Sequence, residues 1–177
     1  MSKPKANYAF IDSQNLNLGV RSLGWEIDYK KLRLYLKNKY KIDQAYMFIG
    51  MVANNQKLYT NLQRAGFILV FKPTVRYLVN GKETVKGNVD AELVLHAAAI
   101  QYDNYDKAII ISGDGDFACL IEYLADKGKL LHVMTPNALY SKLLKPYSRY
   151  IIVIDKLRNS LIYKTIKKTS IGGRSKP

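Results

Sequence analysis

The chain has 177 residues, 48% of them hydrophobic, which is enough to bury a full core and hide roughly 70% of the unfolded surface in one domain. Its single cysteine, Cys119, excludes an internal disulfide and a thiolate metal cluster within one chain, and is itself expected to be buried. Against 14 Asp and Glu stand 28 Lys and Arg, a formal charge of +14 that favours a polyanionic partner through phosphate contacts and counterion release.

Residues 1–7 are polar and basic, and the apolar run at 8–11 is far too short for a signal or membrane segment, so a cytoplasmic protein with no membrane span is expected. Similar short runs recur at 45–49, 67–71, 108–111 and 130–134. None alternates strictly between apolar and polar, which suits strands buried on both faces. Helical patterns separate them: 29–39 behind a possible Asp28 cap, 55–65 before Gly66, 89–102, and 117–127 before Gly128. Strand alternating with helix predicts an α/β fold with a mostly parallel central sheet and helices on both faces.

Two further runs, 75–79 and 82–85, flank Asn80-Gly81, a pair that readily supplies the positive φ angles of a tight turn. An inserted β-hairpin arm is expected here, made basic by Arg76, Lys82 and Lys86; such lysines can touch a phosphate backbone or merely guard a strand edge. Residues 151–154 are expected as a last edge strand, with Asp155 capping a closing helix to about residue 168. Residues 156–177 hold seven basic and no acidic residues, so the chain divides into a domain at 1–155 and a basic helix with a flexible tail at 156–177.

In an open parallel sheet, ligands bind beyond the carboxyl ends of the strands. Asp12 closes the first strand there, Asp114 and Asp116 follow the fourth, and Asp90 begins the helix that leads out from the hairpin. In so basic a chain, four gathered carboxylates repel one another unless cations occupy the site. Oxygen donors without a Cys or His cluster select a hard ion, Mg²⁺ or Mn²⁺ rather than Zn²⁺. Structural roles stand beside this one: Asp116 can cap the helix after it, and Asp90 suits a helical first turn. Asn15 can orient a water or phosphate, or cap a turn, and Ser112 can bond a carboxylate or the substrate. His96 is expected as a satisfied boundary residue, and most of the 14 tyrosines as packing or surface groups.

Three segments occur in order: Ile11-Asp12-Ser13-Gln14-Asn15, Lys86-Gly87-Asn88-Val89-Asp90 and Ser112-Gly113-Asp114-Gly115-Asp116-Phe117. Together they resemble the NYN domain family of PIN-like nucleases over about residues 8–135. The resemblance implies a Rossmann-like PIN fold and metal-dependent RNA cleavage, with Asp12, Asp90, Asp114 and Asp116 matching the acidic site and Asn15 its polar companion. Two departures stand out: Ser13 occupies a position where many relatives have Gly, and Leu95 and His96 lie where many carry a further acid.

The expected chemistry is in-line hydrolysis assisted by one or two divalent ions, leaving 5′-phosphate and 3′-hydroxyl ends, with Lys86 neutralising the scissile phosphate. Three alternatives stay open: a non-catalytic RNA-binding or adaptor module, a Toprim-like phosphotransfer domain, and a receiver-like phosphoacceptor. A homodimer is compatible with the chain.

Overall fold

The computed structural model describes residues 6–72, 75–79, 82–86 and 90–163, with the hairpin segments 75–79 and 82–86 described by their backbone. In chain order the elements are β1 Ala6–Asp12, α1 Ser13–Arg21, α2 Tyr29–Tyr40, β2 Ile42–Gly50, α3 Gln56–Ala65, β3 Ile68–Lys72, β4 Val75–Val79 and β5 Lys82–Lys86. There follow α4 Asp90–Leu95, continued by a π-helical turn His96–Ile100, then β6 Tyr105–Ile111, α5 Ala118–Asp126, β7 Leu130–Thr135, β8 Ile151–Val153 and α6 Arg158–Leu161. Six strands form one sheet in the order β3-β2-β1-β6-β7-β8, with every neighbouring pair parallel. The sheet expected as mostly parallel is thus entirely so.

The absence of strict alternation in the strands has a direct structural cause. Ala9 and Ile11 of β1 enter one apolar cluster with Leu16 and Val20 of α1, Leu32 and Leu36 of α2, and Leu62 of α3. Tyr8 and Phe10, the intervening residues, enter a second cluster with Leu93 of α4 and Leu120, Ile121 and Leu124 of α5. Both faces of the strand are therefore buried, at a gain of roughly 1.5–3 kcal/mol for each large apolar side chain removed from water. Phe10 stacks on Tyr46 and meets Tyr105 edge-on, so the tyrosine-rich composition is in part a core of amphipathic rings. Among the described residues no helix is long and apolar enough to cross a membrane.

β4 and β5 pair antiparallel apart from the main sheet, Val79 opposite Lys82. Asn80 and Gly81, expected to turn the chain, lie outside the described residues. At the other end three expectations are corrected. The closing helix stops at Leu161 and does not run to about 168, because Ile162 becomes extended, bridges antiparallel to Ile27 and packs on the first cluster. Asp155 does not cap it: its Oδ1 accepts a hydrogen bond from Nε1 of Trp25 at 2.9 Å. Cys119 is exposed, because it lies on the outer face of α5 while Leu120 and Ile121 turn inward.

Candidate active site

The chain runs outward from β1 through β2 to β3, then returns to place β6 on the opposite side of β1. The carboxyl ends of β1 and β6 therefore flank the point where strand order reverses, the crevice in which open α/β sheets bind ligands. Asp12 ends β1 and caps α1, its Oδ1 accepting the backbone N–H of Asn15 at 3.0 Å. One hundred residues away in sequence, Ser112 lies in the loop that leaves β6 and donates its hydroxyl to Oδ2 of Asp12 at 3.4 Å. The same hydroxyl accepts the backbone N–H of Asp114 at 3.2 Å, so one buried serine joins the two acidic loops. Asp114 in turn accepts the N–H of Asp116 at 3.1 Å, holding the short 3₁₀ turn Gly115–Phe117 that leads into α5.

Asn15 takes a role that its spacing from Asp12 left open. Its Oδ1 accepts the N–H of Gly113 at 2.8 Å, tying α1 to the loop after β6. It is thus a positioning residue for both Asp12 and Asp114, with its oxygen committed within the protein. Gly115 shows how closely that loop is packed: a Cβ there would sit 2.4 Å from Oγ of Ser141, in the segment after β7.

The carboxylates sense one another. Burial pushes the carboxyl of Asp12 above its ordinary range and the charge of Asp90 adds to this, while N–H donors at Asn15 and Gln14 and the Ser112 hydroxyl oppose it. Burial also raises Asp90, helped by Asp114 and Asp116, against the opposing charge of Lys72. Asp12, Asp90, Asp114 and Asp116 thus form one electrostatic group at a single sheet edge. Among the described residues no set of three or more His, Cys, Asp or Glu side chains closes into a metal cage. The donor chemistry fits a hard divalent cation, an ion that ordinarily completes its coordination with water or phosphate.

Lys72, the last residue of β3, was not singled out from the sequence. The sequence signal for it is its place after the third apolar run, at the same edge as the aspartates. Lys86, Lys82 and Arg76 belong to β5 and β4, and their side chains lie outside the described residues. His96 packs between Tyr46 and Phe48 with its Nδ1 buried and without a hydrogen-bond partner among the described residues. The histidine expected to be satisfied thus leaves one ring nitrogen, Nδ1, unmatched, because its neighbours on β2 are rings.

The doubly wound parallel sheet and the acids at its switch point define a Rossmann-like PIN-type domain. The NYN domain model matches residues 8–155, and the chain belongs to the NYN domain family, whose members are PIN-like nucleases and RNA-associated proteins. It is 26% identical over 170 residues to the Low amplitude and bright protein LabA of Synechococcus elongatus, covering 92% of this chain and 90% of that one. Its fold is similar to the crystal structure of a protein of unknown function, VPA0982, from Vibrio parahaemolyticus RIMD 2210633. That match has a TM-score of 0.74 and 23% identity, and it covers 92% of this chain and 99% of the other. With the family established, the Toprim-like and receiver-like alternatives lose their basis.

Proposed function

We propose that the protein is a cytoplasmic metal-dependent ribonuclease that hydrolyses RNA phosphodiester bonds at Asp12, Asp90, Asp114 and Asp116. The observation that carries this reading is the meeting of the Asp12 and Asp114 loops at the switch point through the Ser112 hydroxyl, with Asp90 near enough for its charge to act on Asp12 and for those of Asp114 and Asp116 to act on it. Such a cluster costs stability in the empty protein, and a divalent cation offsets that cost. The four aspartates would hold Mg²⁺ or Mn²⁺, and the bound ion would supply Lewis acidity and charge neutralisation at the phosphoryl group.

The chain's own residues prepare this chemistry. Ser112 and the Asn15 N–H hold the Asp12 carboxylate in place, and the Asn15 side chain keeps the Asp114 loop against α1. Lys72 supplies a fixed positive charge beside Asp90, suited to a phosphate flanking the site. Lys86, Lys82 and Arg76 on the arm, with the basic residues of 156–177, would add affinity for the phosphate backbone without regard to sequence. RNA is favoured over DNA by family membership.

A second reading, a non-catalytic RNA-binding module, draws on the lack of a closed ligand set among the described residues. One assay separates the two. Labelled single-stranded RNA is incubated with wild type and Asp114→Asn, each checked for folding by circular dichroism, in Mg²⁺, Mn²⁺ or EDTA. Cleavage by wild type alone, abolished by EDTA, is the expected result. RNA binding without cleavage in any metal would replace the nuclease by the binding module.

A further inference from the structure

We propose that Asn137, in the segment that leaves β7, is a positioning residue for the acidic site: it completes a closed circuit of hydrogen bonds that holds the Asp12 and Asp114 loops at one fixed separation. This rests on the nuclease reading and adds to it a residue outside the four aspartates and the three motif segments.

Three parts of the chain form the circuit. α1, which Asp12 caps, reaches the loop after β6 through Asn15, whose Oδ1 accepts the N–H of Gly113 at 2.8 Å. The carbonyl of Gly113 accepts the N–H of Ser141 at 3.0 Å, so the Asp114 loop is tied in turn to the segment after β7. Asn137 supplies the remaining link. Its Nδ2 donates to the carbonyl of Gly19, back on α1, at 3.0 Å. With that link the circuit closes; without it the other two act as hinges about which the loops can turn, and the distance between Asp12 and Asp114 is no longer fixed.

The surroundings of Asn137 show why the contact forms. At the end of α1, Ser22, Leu23 and Gly24 donate their N–H groups to Leu18, Val20 and Arg21 and so pass over the carbonyl of Gly19. A carbonyl in the last helical turn takes its partner from outside the ladder. Here the partners are the hydroxyl of Ser22 at 2.9 Å and the carboxamide of Asn137. That carboxamide has one allowed orientation, because its Oδ1 accepts the N–H of Leu139 at 2.8 Å and only its nitrogen can serve Gly19. The approach also depends on Gly19 itself, where a Cβ would lie 2.5 Å from Cβ of Pro136. Pro136 accepts the N–H of Asp155 at 3.2 Å, which anchors the segment from the β8 side.

Asn137 has a local role as well. It shapes its own turn through the Leu139 N–H, and the Thr135 hydroxyl donates to its carbonyl at 3.0 Å. A residue with that role alone would leave Gly113 undisturbed, since the two share no hydrogen bond among the described residues. A link in the circuit would not.

The test compares the full chain as wild type, Asn137→Ser and Gly19→Ala. Serine keeps an oxygen able to accept the Leu139 N–H but is too short to reach Gly19. Gly19→Ala breaks the same link from the other side, its methyl group displacing Pro136 while alanine favours the helix. The decisive readout is amide hydrogen exchange by NMR in EDTA. In both variants the Gly113 amide is expected to exchange about tenfold faster, the scale of one net hydrogen bond, while Phe10 and Ile110 in the core strands change by no more than about twofold. Mn²⁺ affinity by titration calorimetry is expected to fall about tenfold, as for groups that orient metal ligands. In RNA cleavage kcat is expected to fall with KM within about twofold, because the transition state and not the bound strand depends on the carboxylate geometry.

Gly113 exchange that changes only as much as the core amides, or that quickens with Mn²⁺ affinity unchanged, would overturn the proposal. If wild type cleaves RNA and both variants match it in kcat, the positioning role falls and the nuclease reading stands. If wild type cuts nothing in any metal, yet both variants loosen Gly113 and weaken Mn²⁺ binding, the nuclease reading falls and the positioning role stands.

Discussion

Ser112 concentrates the logic of the site in one hydroxyl, which donates to Asp12 and accepts from the Asp114 backbone. Ser112→Ala removes both links without opening much volume. It is expected to preserve the fold and reduce Mn²⁺ affinity by about tenfold, the low end of losses from groups that orient metal ligands, as read by titration calorimetry. Proton linkage gives a second test at this scale. Asp90 holds its proton more tightly in the folded chain than in the unfolded one, chiefly through burial and then through Asp114 and Asp116. Its ionised form therefore destabilises the metal-free protein at neutral pH, and that penalty fades as pH falls through the raised folded value towards the unfolded one. In EDTA, Asp90→Asn is expected to raise Tm at pH 7, with the gain shrinking in acid; calorimetry across the pH series checks the sign. Added Mg²⁺ should reverse the order of the two proteins.

Elements hold these residues by close approach between segments distant in sequence. Gly115 lies between Asp114 and Asp116, and a methyl group there would meet Oγ of Ser141 at 2.4 Å and Cδ1 of Leu143 at 3.0 Å. Gly115→Ala is expected to cost about 1–3 kcal/mol in urea denaturation and to lower cleavage by displacing both carboxylates. Adding Ser141→Gly should recover part of both losses, a coupling that a purely local effect at Gly115 would not show. The helices differ in how plainly they can be read. α2, α3 and α5 carry end signals such as Asp28, Gly66 and Gly128, and lie within a residue or two of the ranges expected for them. α1 was legible only as a turn at Asp12, because Asn15 and Asn17 are poor helix formers and its buried stripe reduces to Leu16 and Val20 with Ser13.

At the scale of the whole molecule, residues 154–162 after β8 contribute to the core. Leu161 is fully buried, its carbonyl accepts the N–H of Asp28, and the N–H of Tyr163 returns to the carbonyl of Glu26. Leu161→Ala is accordingly expected to destabilise the entire domain by about 2–5 kcal/mol, measured by chemical denaturation. A net charge of +14 should make RNA affinity fall steeply with salt, the logarithmic slope being about −0.7 for each phosphate neutralised on a single strand. The order of strands and helices, the strand-end aspartates and the family motif were determined by the sequence alone, because hydrophobic period, caps and turn residues act over a few neighbours. Tertiary structure decided that Asn15 meets Gly113 98 residues later, that the charge of Lys72 reaches Asp90, that Cys119 points outward and that Ile162 leaves its helix for Ile27. Each of these depends on which surfaces the sheet brings together, and packing between distant segments outweighs the local preferences that a sequence displays.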